Sequence, residues 1–274
     1  MKKSKLIRVG STCMAIFVFA CMAMASGEKK ETTQNSVKIG DGGTKSEAAD
    51  NSATPEDTTA AETENKIQYE VTSTTFTHYT NSINKEEYCG IVEITNTGSA
   101  YLYLGDCSFD LEDDDGHLLQ SDKYISSAPD VLAPGEKGYY FQNGSIDDGV
   151  ALDKGVNLVP NYTIEIAKKG ADAIVEYEVS DLDLRDEDYG LGVKVTGRIS
   201  NNTSEETSSI DINLIAIFYG SDGKILDIGF TYPDAMAPGT KTSFEISTAF
   251  GNREFSAKDV SDYMVIARKS VLNL

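Results

Sequence analysis

The sequence predicts an all-β protein: two tandem β-sandwich units carried behind an export signal and an acidic linker. Three observations predict it. The stretch Ile210–Phe230, reading IDINLIAIFYGSDGKILDIGF, is an apolar run, a Ser221-Asp222-Gly223 turn and a second apolar run, the pattern of strand, turn, strand. A set of marker residues occurs twice along the chain in the same order. No segment after the N-terminal signal carries an apolar stripe at helical spacing.

The bulk numbers bound the reading. A chain of 274 residues holds one large or two ordinary domains once its tails are removed. The formal net charge is -20. That balance repels nucleic-acid phosphates and anionic lipid surfaces, so nucleic acid is excluded as a partner and a membrane is reached only through a lipid anchor. The plain role of the charge is to keep an exported protein soluble. Trp is absent, so neither unit centres on a buried Trp.

Residues 1–25 read as a signal peptide. Lys2, Lys3, Lys5 and Arg8 precede an apolar run from Val9 to Ala25, which is too short for a stable membrane span. Two cleavage readings stand side by side. Val18-Phe19-Ala20-Cys21 resembles a bacterial lipobox, in which Cys21 is lipidated and becomes the first residue of an anchored, extracytoplasmic protein. Ala23-Met24-Ala25 instead offers the small residues that signal peptidase cuts, which releases a secreted protein. Residues 26–65 form an acidic Thr/Ser-rich linker with almost no large apolar side chains. Such a segment is expected to be disordered, because it cannot bury enough surface to offset its ordering entropy. About 40 residues of this kind span roughly 35 Å as a coil, enough to lift a domain off a surface.

The remainder divides into residues 66–169 and 171–274. Tyr69-Glu70-Val71-Thr72 matches Tyr177-Glu178-Val179-Ser180, and Ile94-Thr95-Asn96 matches Ile199-Ser200-Asn201. Asp115-Gly116 matches Asp222-Gly223, Ala133-Pro134-Gly135 matches Ala237-Pro238-Gly239, and Ile166-Ala167-Lys168-Lys169 matches Ile266-Ala267-Arg268-Lys269. A unit of about a hundred residues is too long for a solenoid repeat, so each copy needs its own core. The junction falls near Gly170 and is short, which predicts neighbouring units with a small shared interface. Within each copy the local signals are those of strands: Gly192–Ile199 in the second alternates as a half-buried strand must, and Tyr162–Ile166 and Tyr263–Ala267 close the copies alike. Asn96-Thr97-Gly98 and Asn201-Asn202-Thr203 end strands with side chains that bond nearby backbone. Each Pro-Gly pair predicts a type II turn that launches a strand, Tyr139-Tyr140-Phe141 in one copy and Thr242–Ile246 in the other.

Ala216-Ile217-Phe218-Tyr219-Gly220-Ser221-Asp222-Gly223, flanked by Gly197–Asn202 and Ala237-Pro238-Gly239, resembles the FxLYD family. Phe109-Asp110-Leu111-Glu112-Asp113 is similar to the same motif, with Glu112 in the tyrosine position. The resemblance covers both copies and implies two tandem Ig-like domains of the kind found in exported proteins and lipoproteins of Gram-positive bacteria. It implies no catalytic or ligand residues.

Chemistry-bearing residues are few. Cys13 and Cys21 lie in the signal, which leaves Cys89 and Cys107 as a disulfide candidate in an oxidising exterior. Strand parity opposes the bridge: Cys89 shares the outward row of Lys194, and Cys107 the inward row of Leu214, so bonding them needs a bulge. Glu112-Asp113-Asp114-Asp115-Gly116 invites a calcium reading, but Leu111 occupies the first ligand position and Asp122 the closing one, which favours a solvated turn. His78 and His117 are far apart and match no zinc pattern, so no metal or cofactor is expected. The acids Asp181, Asp183, Asp186, Glu187 and Asp188 offer pairs that a glycan hydrolase could use, or plain surface. Tyr139, Tyr140 and Phe141 offer a sugar or peptide platform, or core residues with one exposed ring. The reading that follows is a non-catalytic, surface-displayed binding protein whose partner is an extracytoplasmic protein, peptide or cell-wall component. Its rivals are a hydrolase with paired carboxylates and a passive spacer.

Overall fold

Alternating apolar rows and Gly-marked turns fold into antiparallel strands, and two rows per strand allow two buried faces. In the computed structural model, residues 35–36, 67–81, 84–150, 152, 155–187, 192–248 and 255–270 are described. The signal region with Cys21 lies outside them, as do Asp188 and all of the linker except Asn35 and Ser36. The strands are β1 (Asn35–Ser36), β2 (Tyr69–Thr80), β3 (Glu86–Asn96), β4 (Leu102–Glu112), β5 (Leu118–Lys123), β6 (Ser126–Ala128), β7 (Val131–Leu132), β8 (Lys137–Ser145) and β9 (Asn157–Ile166). They continue as β10 (Glu178–Asp186), β11 (Val193–Ser200), β12 (Ile212–Tyr219), β13 (Ile225–Thr231), β14 (Lys241–Ser247) and β15 (Asp262–Lys269). The helical pieces among the described residues are short 3-10 turns, at Gly170–Ala173 and Ala257–Asp259, with Leu152 in another.

The strands form four antiparallel sheets. Sheet I runs β1-β9-β4-β5 with β7 on β4, and sheet II runs β2-β3-β8-β6. Sheet III runs β13-β12-β15, and sheet IV β10-β11-β14. The two halves thus repeat one topology, with β2-β3-β8 answering β10-β11-β14 and β9-β4-β5 answering β15-β12-β13. Register irregularities repeat as well: β4 and β5 slip between Leu111 and Glu112, and β12 and β13 slip at the matching Phe218 and Tyr219. Among the described residues, β6 and β7 have no counterpart strands in the second half. Within the predicted linker Asn35 and Ser36 pair with β9, whose open edge offers backbone groups to a passing segment.

The repeated markers act as pins. Asn96 and Asn201 are both fully buried. Asn96 Nδ2 donates to the carbonyls of Ala100 (2.8 Å) and Leu132 (3.2 Å), while its Oδ1 accepts the Gly98 N–H at 3.1 Å. Asn201 Nδ2 donates to Glu205 (2.7 Å) and Met236 (3.0 Å), and its Oδ1 accepts from the Thr203 N–H at 3.0 Å. The backbone of each also meets its Pro-Gly turn: Gly135 N–H reaches Asn96 O, and Gly239 N–H reaches Asn201 O, both at 2.8 Å. Those turns need positive φ at their glycines, +82° at Gly135 and +72° at Gly239.

Each half keeps its own core. Tyr88, Val92, Ile94, Leu102, Phe109, Leu111 and Tyr140 lie between sheets I and II. Val193, Val195, Ile199, Leu214, Phe218 and Phe244 lie between sheets III and IV. A third apolar layer joins the halves. Cys89, Ile91, Ala128, Tyr139 and Phe141 from sheet II pack on Ile215, Ile217, Ile225 and Ile228 from sheet III. This joint is larger than the short junction predicts: nine buried side chains make it a core, and the described residues of both halves belong to one compact unit. Fully burying a single Ile contributes about 1.5–3 kcal/mol, so several of them hold the sheets firmly. Polar bonds rim the layer, with Tyr139 OH and Tyr219 OH 3.0 Å apart and Thr75 Oγ1 donating to Ile225 O at 3.4 Å. At the other edge Arg268, almost wholly buried, donates to both Glu136 oxygens (3.0 and 2.5 Å) and to Glu176 (2.6 Å).

Candidate functional site

Beside the joint the chain leaves a cleft of about 850 Å³. Three local departures from regular strand open it. The β4–β9 ladder jumps between Leu104 and Cys107, so Gly105 and Asp106 stand out of register. Between β5 and β6 the chain turns at Tyr124 with φ +63°, a left-handed conformation costly for a bulky residue. That turn sends Ile125 into the first core and leaves Tyr124 91% exposed. From the second half, Phe230 and Thr231 end β13 and Tyr232 follows. All of these residues line the cleft.

Its walls combine rings with polar groups. Phe230 is 54% and Tyr232 55% exposed, and with Tyr124 they are the exposed Phe and Tyr rings among the described residues. Phe230 stands edge-on to Tyr232 at 6.2 Å and leans on Phe141, at 6.1 Å, in the joint. The charged lining residues are Asp106, Asp130 and Lys123. Asp130 Oδ2 accepts Asn213 Nδ2 at 3.2 Å, a bond that crosses between the halves. Tyr103, also in the wall, has its phenol pushed up first by burial and then by the charges of Asp130, Asp106 and Glu165. In this wall the two carboxylates outnumber the one ammonium.

Of the chemistry-bearing residues singled out in the sequence, Cys107 and Phe141 touch the cleft from the two apolar layers behind it, and the others lie elsewhere. Cys89 sits in the joint with its thiol 3.6 Å from Asp227 Oδ1, whereas Cys107 belongs to the first core. Both are free, and the bridge weighed between them is not formed. Burial pushes both thiols up, with Asp227 adding to the effect at Cys89. Tyr139, Tyr140 and Phe141 form no exposed platform, and none of the three rings faces solvent. The reason is that β8 is covered on both faces: Tyr140 stacks on Tyr162 at 5.6 Å in the first core, and its two neighbours enter the joint.

The oxygens of Asp113 and Asp115 and the ring of His117 lie within 4.8 Å of one another. Asp113 is already committed to the turn, accepting the N–H groups of Asp115 (3.0 Å) and His117 (2.8 Å) and facing His117 Nδ1 at 3.1 Å. The His117 backbone bond is the chief reason that its carboxyl lies below the usual range. Asp122, which the calcium reading needs at the loop's closing position, instead sits on β5 opposite Phe109 and accepts from Tyr88 OH and Gln120. His78 is exposed, 3.9 Å from Glu86. Asp183 pairs with Arg185 at 2.6 Å, Asp186 caps the Ala257 N–H at 2.6 Å, and Glu187 lies 3.3 Å from Lys194. Asp181, Asp183, Asp186 and Glu187 are not in the cleft wall.

The exposed rings and carboxylates of the cleft were not singled out by sequence, although Phe141 and Cys107 behind them were. Phe230 closes the strand-turn-strand stretch, and its row was legible. Tyr124 turns without a Gly or Asn to announce it. No protein-family model matches the chain, and no curated protein matches it.

Proposed function

We propose that this chain is a non-catalytic, extracytoplasmic binding protein and that the cleft beside its joint is the binding site. One observation carries the reading: the exposed Phe and Tyr rings among the described residues, Tyr124, Phe230 and Tyr232, gather at one concave place. Single exposed apolar residues are ordinary, but a cluster of rings around a cleft is the mark of a surface kept for a partner. The strained backbone at Tyr124 supports it, because such strain gathers at binding and catalytic sites. The joint supports it too, since walls from two halves keep their spacing only if the halves are fixed.

Location follows from the N-terminal sequence. The signal-like residues 1–25 and Cys21 support export with a lipid anchor, and the acidic linker supplies reach. The likeness to FxLYD domains supports the same place and an Ig-like character for both sandwiches. The partner class is an extracytoplasmic protein, peptide or cell-wall component. The test is titration of the mature chain with separated envelope peptides, proteins and glycans, followed by NMR. The expected result is a binder that shifts the Tyr124 and Phe230 resonances and weakens at least ~10-fold in a Phe230→Ala, Tyr232→Ala variant. The exposed Leu118→Ala control keeps binding. Binding that ignores the double variant overturns the reading.

A further inference from the structure

We infer that the cleft takes a cationic group and that its occupant is a basic peptide segment presenting Lys or Arg side chains. The inference rests on the cleft being the binding site, as proposed above, and adds the chemistry of the occupant.

Charge complementarity points to a cation. The wall carries Asp106 and Asp130 against Lys123, and Glu165 adds a third carboxylate near Tyr103. The chain as a whole is at -20, so anionic ligands are repelled before they arrive. A concave site with low-dielectric walls focuses that field. The rings act in the same direction. An aromatic face carries the negative side of a quadrupole, so Tyr124, Phe230 and Tyr232 attract an ammonium or guanidinium placed over them. Arg also stacks its planar head on such rings. A neutral sugar would use the rings and gain nothing from the excess of carboxylate in the wall.

Size and polarity point to a peptide as the carrier. A volume of about 850 Å³ is far more than one ammonium fills, and falls in the range for ligands of several linked groups. Ser126, Ser127, Asn161 and Thr163 in the wall supply hydroxyl and amide groups that can meet peptide N–H and C=O. The β4 segment Gly105-Asp106, out of register with β9, lies against the same space.

The experiment titrates the mature chain with an acetylated, amidated Lys-Arg-Lys-Arg peptide by calorimetry and NMR. Comparators are the Glu tetrapeptide, spermidine and a neutral tetrasaccharide. The expected Kd for the basic peptide is below ~1 mM, weakening at least ~10-fold in Phe230→Ala, Tyr232→Ala and several-fold in Asp106→Asn. It also weakens several-fold as salt screens the charges. Asp130→Asn acts in the same direction, and Glu245→Gln on sheet IV leaves binding unchanged. Thermal melts verify that each variant is folded, and the salt series on the unaltered chain stands even if one is not. Peptide binding insensitive to Asp106→Asn and to salt overturns the inference. So does spermidine binding as tightly as the peptide. If the tetrasaccharide alone binds and depends on Phe230, the cationic occupant falls while the cleft stands. If no probe responds to the ring variants, both fall.

Discussion

The two halves share a topology and differ on the faces where they meet. On β3 the row pointing away from the first core holds Cys89 and Ile91; on β11 the matching positions are Lys194 and Thr196. On β8 that row holds Tyr139 and Phe141, and on β14 Ser243 and Glu245. The opposite holds for the partner sheets, where Ser108, Asp110 and Glu112 on β4 answer Ile215, Ile217 and Tyr219 on β12. The inward rows do not diverge in this way: Cys107, Phe109 and Leu111 answer Leu214, Ala216 and Phe218, all apolar. A fold of this type is therefore specified by one row per strand, and the second row is free to be solvent surface or joint.

The sharpest way to break the comparison is to exchange its sides. Ile217→Asp buries a carboxylate in the joint without a partner and should cost roughly 3–5 kcal/mol in guanidinium unfolding. The exchange at the matching site, Asp110→Ile, gives up bonds from Ser121 (2.5 Å) and Asn161 (2.8 Å) on a water-facing sheet and should cost about 1 kcal/mol or less. Equal costs would mean that the joint does not form.

The pins should behave alike. Asn96→Ala and Asn201→Ala each remove two side-chain bonds to backbone carbonyls and should each cost roughly 1–3 kcal/mol. The two values should agree to within about 0.5 kcal/mol, and a larger gap would show that the copies use the pin differently.

Smaller still is the contrast between Arg268 and its counterpart Lys168. Lys168 is exposed, and Lys168→Met should be neutral within about 0.5 kcal/mol. Arg268→Met should cost about 1–2 kcal/mol at neutral pH, since both glutamates keep some contact with water. This contribution depends on pH. Burial alone would raise the Glu136 carboxyl, but bonds from Arg268 and from the Ala133 N–H, with the Arg268 charge, hold it below the ordinary 4.5. A depressed folded value stabilises the protein fully above the unfolded pKa and is lost as pH falls through the folded one. The gap between the native chain and Arg268→Met should therefore narrow below about pH 4.5 in melting curves, and a constant gap would remove the ion pair from the account. Tyr124→Gly has an effect of similar size and opposite sign: relief of the left-handed strain should stabilise the fold by about 1 kcal/mol while binding weakens.

Much of this was legible in the sequence. The markers located the pins and turns because Asn, Pro and Gly carry their own backbone geometry. Strand parity put Cys89 and Cys107 on opposite faces. The joint also left a trace: Leu214–Phe218 and Tyr88–Val92 lack polar side chains other than the Tyr88 hydroxyl, the pattern of strands covered on both sides. The same double cover explains why Tyr139 to Phe141 are buried rather than displayed. The cleft was beyond reach for another reason. Its rings come from two halves that only the joint brings together, and Tyr124 owes its exposure to a turn with no local signal. The pairing of Asn35 and Ser36 with β9 is likewise a property of an open edge, which the composition of the linker does not reveal.

The polar rows on sheets I and IV carry one more implication. The two sticky surfaces of the repeat cancel one another inside a single polypeptide, so either half cut loose from its mate would carry a bare greasy face and should clump.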